Sequence, residues 1–144
     1  MTGYWRDEQK TSQVMTVDGW LRTGDQGWMD EEGYIYLAGR GDDMIIRGGE
    51  NISPEEVENV LHSYPKVEEA AVIGISDPEW GQQPRAVVVL KEGESATVEE
   101  IMEFCQSKLA GFKRPRSVVF VDSLPRNPMG KVLRRKLREE YGQP

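Results

Sequence analysis

The five residues Ala86-Val-Val-Val-Leu90 are apolar without a break. In a strand, successive side chains point to opposite faces, so such a run has to be covered on both sides. The chain is therefore committed to a sheet with something packed over each face. A second β-branched run, Val67–Ser76, and a third, Val118-Val-Phe-Val121, supply partners for it. The covering elements are legible too. Ser53-Pro54-Glu55-Glu56 starts a helix, with Ser as N-cap, Pro at the first helical position and Glu in the first turn. Val57, Val60, Leu61 and Tyr64 then recur at helical spacing, and Pro65 stops the helix. Thr97-Val-Glu-Glu100 is a second capping box, and Val98, Ile101, Met102, Cys105 and Leu109 make its helix amphipathic. Lys131–Tyr141 reads as a short basic helix with Leu133, Leu137 and Tyr141 on one stripe. With an apolar strand in Asp43–Asn51 running into a Gly48-Gly49 turn, the order is strand, helix, strand, strand, helix, strand, helix. The fold class expected is α+β: a small three-stranded sheet with packed helices.

The first forty residues are different. They hold three of the four tryptophans, Trp5, Trp20 and Trp28, among short polar stretches. Trp28–Leu37 reads as a short β-hairpin around an Asp-Glu-Glu-Gly turn, with Tyr34 and Tyr36 on one face and Ile35 and Leu37 on the other. No helix signal precedes residue 53. This region has too little apolar surface to close a core by itself, so it reads as the end of something larger.

Composition narrows the function. A single cysteine, Cys105, excludes an internal disulfide framework, and a single histidine, His62, argues against a zinc site or a Ser/His/Asp or Cys/His catalytic arrangement. Cys105 belongs to an apolar helix face, and His62 to a helix surface. No apolar run approaches the roughly 20 residues of a membrane span, and no signal peptide opens the chain, which gives a cytoplasmic setting as the expectation. The net charge is −7, but it is unevenly laid out. Residues 1–100 carry 8 basic and 21 acidic side chains, and residues 101–144 carry 10 and 4. A basic end on an acidic chain suits either a nucleic acid or a pocket for a small polyanion.

General nucleotide-binding patterns fail here. Gly39-Arg-Gly41 lacks the third glycine of a dinucleotide fingerprint and precedes a strand, while Pro125–Val132 lacks the first glycine and the Ser/Thr of a phosphate loop. Four other segments carry chemistry. Asp25 follows Gly24, where an Asp is as a rule a turn residue, although its carboxylate can also accept two hydrogen bonds side by side from a vicinal diol. Gly39 and Gly41 flank Arg40 where the two halves join, as a hinge or as an ordinary linker turn. Phe112-Lys-Arg-Pro-Arg116 sets three cations beside an aromatic ring, either as a phosphate grip or as a solvated loop. Lys131, read as the start of a helix, opposes the macrodipole there, and the preceding loop is stiffened by Pro125 and Pro128. A cation held in that position is aimed at an anion.

In this order and spacing, the segments resemble the carboxyl-terminal part of the adenylate-forming enzymes, the superfamily of acyl- and aryl-CoA synthetases, firefly luciferase and the adenylation domains of peptide synthetases. The matching pieces are Gly3-Tyr-Trp5, Gly19-Trp-Leu-Arg-Thr-Gly-Asp25, Gly39–Glu58, Asp77-Pro-Glu-Trp-Gly-Gln82, Phe112-Lys-Arg-Pro115 and Leu124–Lys131. They cover nearly the whole chain, and Gly48-Gly-Glu-Asn-Ile-Ser-Pro54 is the version associated with CoA ligases.

The resemblance implies a reaction and roles. Such enzymes activate a carboxylate with ATP to an acyl-adenylate and pass the acyl group to a thiol, rotating the small carboxyl-terminal domain between the steps. Asp25 then corresponds to the ribose-binding aspartate, Arg40 to the arginine at the nucleotide, and Asp42 to the hinge. Lys131 corresponds to the lysine that bridges carboxylate and α-phosphate, and it also lies in a pattern at which bacterial acetyltransferases silence such enzymes. Gly48 and Gly49 correspond to the loop lining the pantetheine tunnel, Trp80 to a residue beside that arm, and Arg114 and Arg116 to cations near the CoA phosphates. A polyanionic cofactor, rather than nucleic acid, then accounts for the basic end.

The resemblance further implies that residues 1–40 are the last piece of the large amino-terminal adenylation domain and 41–144 the mobile lid. ATP and CoA are the expected cofactors, with magnesium held mainly by the large domain and no metal site in this chain. The expected partners are that large domain, a small carboxylate and CoA, and alone the chain is expected to be inactive. Two other functions stay open: a domain that loads a carrier protein, and a non-catalytic module that binds a polyanion or a protein.

Overall fold

The structure is a computed structural model that describes residues 1–143, apart from the side chain of residue 38. The chain divides into two compact units, Met1–Asp42 and Asp43–Pro144.

The first unit holds α1 (Glu8–Val14) and a hairpin of β1 (Asp25–Met29) and β2 (Ile35–Arg40). The helix α1 corrects the expectation of no helix before residue 53. The side chain of Asp7 caps it by accepting from the Lys10 amide, and Glu8 adds a carboxylate to its first turn. Its sequence, EQKTSQV, has almost no apolar residue and so no periodicity to find. The hairpin forms where it was read. Asp30 shapes its turn: Oδ1 accepts from the amides of Glu32 and Tyr34 at 3.0 and 2.9 Å, and Oδ2 from the Tyr36 hydroxyl at 2.9 Å. These bonds hold the Asp30 carboxyl below its ordinary range, the Tyr34 amide contributing most. Trp28 stacks on Tyr36 with ring centres 4.1 Å apart. None of the described residues of this unit is buried, so it has no core of its own.

The second unit opens within a 3-10 turn, Gly41–Asp43, and continues through β3 (Ile45–Arg47), β4 (Glu50–Ile52), α2 (Pro54–His62), β5 (Val67–Asp77), β6 (Gly81–Leu90), α3 (Val98–Gln106), β7 (Ser117–Phe120) and α4 (Arg134–Tyr141). The three expected strands are β5, β6 and β7. The β3–β4 hairpin extends them to a five-stranded sheet of order β4-β3-β6-β5, with β7 pairing β6 in parallel. Strand β5 lies along one edge of β6 for its whole length; the other edge is shared by β3 at Gly81 and by β7 along Arg85–Val88.

Alternation along the strands explains why both faces are apolar. Ala70, Val72, Ala86 and Val88 face a core made with Val57 and Leu61 of α2 and Ile101 and Cys105 of α3. Ala71, Ile73, Ile75 and Val87 face a second core with Leu124 and Leu137 of α4. Burial pushes the Cys105 thiol up to about 11, so it stays a neutral core group.

Strand β5 forms one edge of the sheet, and α2 guards it. Its Glu58 Oε1 accepts from the Val72 amide at 2.8 Å, and His62 Nε2 from the Ala70 amide at 3.1 Å. These are alternate outward N–H groups, which an unguarded edge offers to other strands.

Candidate functional site

The site residues fall into groups that the fold separates. Asp25 and Arg40 close the open end of the β1–β2 hairpin, where their Cα atoms are paired. Their side chains form an ion pair at 3.5 Å, both of them partly open to solvent. Gly24 has φ +81°, and a Cβ there would lie 3.2 Å from Arg40 Nη2, so the guanidinium rests on bare backbone. The pair presents a carboxylate and a cation side by side, which suits a diol next to a phosphate.

Asp42 is exposed, in the middle of the 3-10 turn. The neighbouring Asp43 is gripped: Arg138 Nη2 reaches its Oδ1 at 2.6 Å and Arg134 Nη1 its Oδ2 at 3.5 Å. Arg134 Nη2 also donates to both oxygens of Glu58 at 2.8 Å. Burial acts to lower the Arg134 pKa, but the carboxylates of Glu58 and Asp43 outweigh it and keep the guanidinium above its ordinary value. The sequence gives no hint of this network, because it joins residues 76 and 95 positions apart.

Lys131 is where the reading needs correction. It lies three residues before α4, whose N-cap is Leu133, so the helix dipole does not act on it as expected. Residues 126 and 132 pair in an isolated bridge, which keeps the segment extended past Lys131 and delays the helix. The loop is nonetheless firmly built. Asn127 Oδ1 accepts from the amides of Met129 and Lys131 at 3.0 and 2.9 Å, and the Asn127 amide donates to the Lys131 carbonyl at 2.9 Å. Gly130 turns the chain at φ +82°. Arg126 ties the loop to the sheet through Glu69, at 2.6 Å. Lys131 is exposed, and among the described residues its ammonium forms no ion pair. A stiff loop, rather than a helix end, holds a cation out to solvent.

Gly48 and Trp80 come together at a different corner. The Gly48 amide donates to the Trp80 carbonyl at 2.9 Å, and a Cβ on Gly48, at φ +58°, would meet the indole at 2.7 Å. Arg47 lies over the Trp80 ring, its guanidinium 4.7 Å from the ring centre. Asp77 Oδ1 sets the turn by accepting from the amides of Glu79 and Trp80 at 3.0 and 2.8 Å. Beside this wall, Gly49 has φ +89° and open space where a Cβ would be. Bare backbone thus lies next to an indole face at this corner, with open space beside it.

Arg114 and Arg116 lie further along the same edge of β6. The Arg116 amide donates to the Pro84 carbonyl at 2.8 Å. The two arginines line a groove of about 460 Å³ with Glu99, Met102, Glu103 and Gln106. Arg114 Nε is used on the Leu109 carbonyl at 2.9 Å, leaving the remainder of its fork for an anion. Among the described residues, no group of three His, Cys, Asp or Glu side chains is placed to hold a metal ion, and no helix is long and apolar enough to cross a membrane.

The Lys131 loop and the Gly48–Trp80 corner stand at opposite ends of one strand pair. The loop is anchored on Glu69, opposite Val89; the corner is anchored on Asp77, opposite Gly81. Eight residue steps along β5 take Glu69 to Asp77, which is about 26 Å at the usual rise.

The second unit is an α+β body with an exposed lysine in a stiff loop near one end of the β5–β6 pair and a glycine–indole contact near the other. The pattern of the AMP-binding enzyme C-terminal domain matches residues 56–131. The chain therefore belongs to the adenylate-forming superfamily, as a carboxyl-terminal domain of that type. It is 48% identical over 143 residues to the mitochondrial medium-chain acyl-CoA ligase ACSF2 of Bos taurus, covering 99% of this chain and 23% of that protein. It is 50% identical over 137 residues to the 2-succinylbenzoate–CoA ligase of Bacillus cereus (strain Q1), covering 95% and 28%. The chain thus spans about a quarter of the length of these relatives. Among solved structures, ATP-bound MatB from Rhodopseudomonas palustris matches with TM-score 0.89 and 43% identity over 97% of this chain and 28% of that one. The apo form of the same protein matches at 0.72 over the same share.

Proposed function

We propose that this chain is the carboxyl-terminal part of an ATP-dependent acyl-CoA synthetase, which joins a carboxylic acid to CoA through an acyl-adenylate. Residues 1–40 complete a large amino-terminal adenylation domain, and 41–144 form a lid that turns against it. The observation that carries the reading is that Glu69, which anchors the Lys131 loop, and Asp77, which anchors the Gly48–Trp80 corner, lie about 26 Å apart along β5. One small body cannot bring both ends to one reaction centre at once, so it has to present them in turn. This chain fits the ATP-bound and apo structures of MatB unequally, with TM-scores of 0.89 and 0.72, which supports a domain that can be placed in more than one way.

In the first arrangement, Lys131 offsets negative charge where carboxylate and phosphate meet, and its stiff loop keeps the ammonium aimed without reorganisation. Asp25 takes the ribose hydroxyls and Arg40 lies beside the nucleotide. In the second, Gly48 and Gly49 give backbone along which the pantetheine arm passes, with Trp80 as its wall. Arg114 and Arg116 meet the phosphates of CoA. ATP and CoA supply the leaving pyrophosphate and the acceptor thiol; magnesium is held by the large domain. Alone, this chain has neither an acyl pocket nor a phosphate loop and does not adenylate. Asp42 is the hinge.

The test joins this chain to the large domain of one of the acyl-CoA ligases above. Lys131→Ala lowers ATP–pyrophosphate exchange by about a hundredfold or more, while Lys131→Arg keeps part of it. Exchange unchanged in Lys131→Ala would overturn the assignment.

A further inference from the structure

The junction between the two units is held from both sides, and the holds stop one residue apart. On the amino-terminal side, the Gly41 amide donates to the Gly24 carbonyl at 2.8 Å, and Arg40 is paired with Asp25. On the other side, Asp43 is bound by two cations of α4, Arg138 at 2.6 Å and Arg134 at 3.5 Å. These are not stray surface pairs. Arg134 has 15% of its side chain exposed and Glu58 11%, and Glu58 is in turn fixed to the β5 backbone through the Val72 amide. Asp43 is thereby connected through α4 and α2 to both helical layers and to the sheet. Asp42, between the two holds, is exposed, in the middle of a single 3-10 turn.

We propose that Asp43 is a positioning residue: gripped by Arg134 and Arg138, it fixes the first residue of the second unit so that turning is confined to Asp42. A pivot one residue wide returns Lys131 and the Gly48–Trp80 corner to the same places each time. A looser pivot, with Asp43 and Met44 also free, scatters both ends, because a small angular error at the junction grows with distance from it. This inference rests on the reading that the second unit moves as a body; the grip adds where the motion starts and what sets it.

Amide-nitrogen relaxation on this 144-residue chain tests it without substrate. In the wild type, order is expected to be near 0.85 at Gly41 and from Asp43 onward, with a dip at Asp42 alone. In Asp43→Ala, and in Arg138→Met, which leaves the Arg134–Glu58 pair in place, the dip spreads to Asp43 and Met44. Their order falls below about 0.6, while Ile45–Arg47 stay rigid. Asp43→Glu keeps the wild-type profile, a rescue that a general loss of stability would not give. A wild-type dip at Asp42 that does not spread in Asp43→Ala or Arg138→Met overturns the grip and leaves the moving-lid reading intact. No dip at Asp42 in the wild type overturns the one-residue pivot, whereas the moving-lid reading fails only if Lys131→Ala leaves ATP–pyrophosphate exchange unchanged in the joined enzyme.

Discussion

Replacing Glu58 with Ala removes one carboxylate that answers two buried needs. Glu58 is 8% exposed; it accepts from the Val72 amide at 2.8 Å and from Arg134 at 2.8 Å. An amide left unpaired costs about 1–3 kcal/mol. Taking one partner from a buried ion pair costs about 3–5 kcal/mol when nothing else neutralises the other. Here Asp43 remains near Arg134 at 3.5 Å, and the two losses share one group, so a total of about 3–4 kcal/mol is expected. Glu58→Gln keeps an oxygen for the Val72 amide and loses only the charge, for about 1–2 kcal/mol. With a urea slope of about 2 kcal/mol per M, the Ala variant should unfold about 1.5–2 M earlier than the wild type, and the Gln variant about half that. Far-ultraviolet circular dichroism of the urea transition reads both. An Ala midpoint within about 0.5 M of the wild type, or a Gln variant as weak as Ala, would refute the reasoning.

Three further expectations follow from single groups. Asp30 has its folded carboxyl below the ordinary value, so its contribution to the hairpin is complete above about 3.9 and is lost only as the pH falls through the lower folded value; nuclear magnetic resonance titration showing Asp30 at or above 3.9 would contradict this. Cys105, pushed up to about 11, should react slowly with a disulfide reagent at pH 8 in the native chain and quickly in urea, and equal rates would mean that the core opens. In the joined enzyme, CoA should have a lower KM than its form without the 3′-phosphate, and Arg114→Ala with Arg116→Ala should narrow that gap roughly tenfold. No initial gap would favour a carrier-bound thiol as the acceptor.

Much of the second unit was legible because its strands and helices obey their own periods. Ala86–Leu90 demanded two covered faces and has them, and the Thr97–Glu100 capping box forms with both of its hydrogen bonds. The Leu137 stripe of α4 was also correct, but the start of the helix was misplaced by three residues. Pro125, Pro128 and Gly130 mark a loop, whereas the bridge that carries it past Lys131 and the Arg126–Glu69 ion pair that ties it to the sheet are not encoded in local sequence. The same limit hid the guarding of β5 by Glu58 and His62, since nothing in Val67–Asp77 reveals that it is an edge. Strand β3 was legible as the apolar run ahead of the Gly48-Gly49 turn, whereas β4 is only three residues long, too short for alternation to register. Of the site, the pairings Asp25–Arg40 and Gly48–Trp80 join residues whose roles the resemblance had implied separately, and the Asp43 grip was invisible because its partners lie on α4.

The claim on which the rest depends is that this lid has two working ends, used one at a time. The joined enzyme can be given either the acid with ATP, or a ready-made acyl-adenylate with CoA. Lys131→Ala should lose the first reaction and keep the second close to the wild-type rate, and Trp80→Ala should do the reverse. Both variants losing both reactions to the same extent would contradict the account.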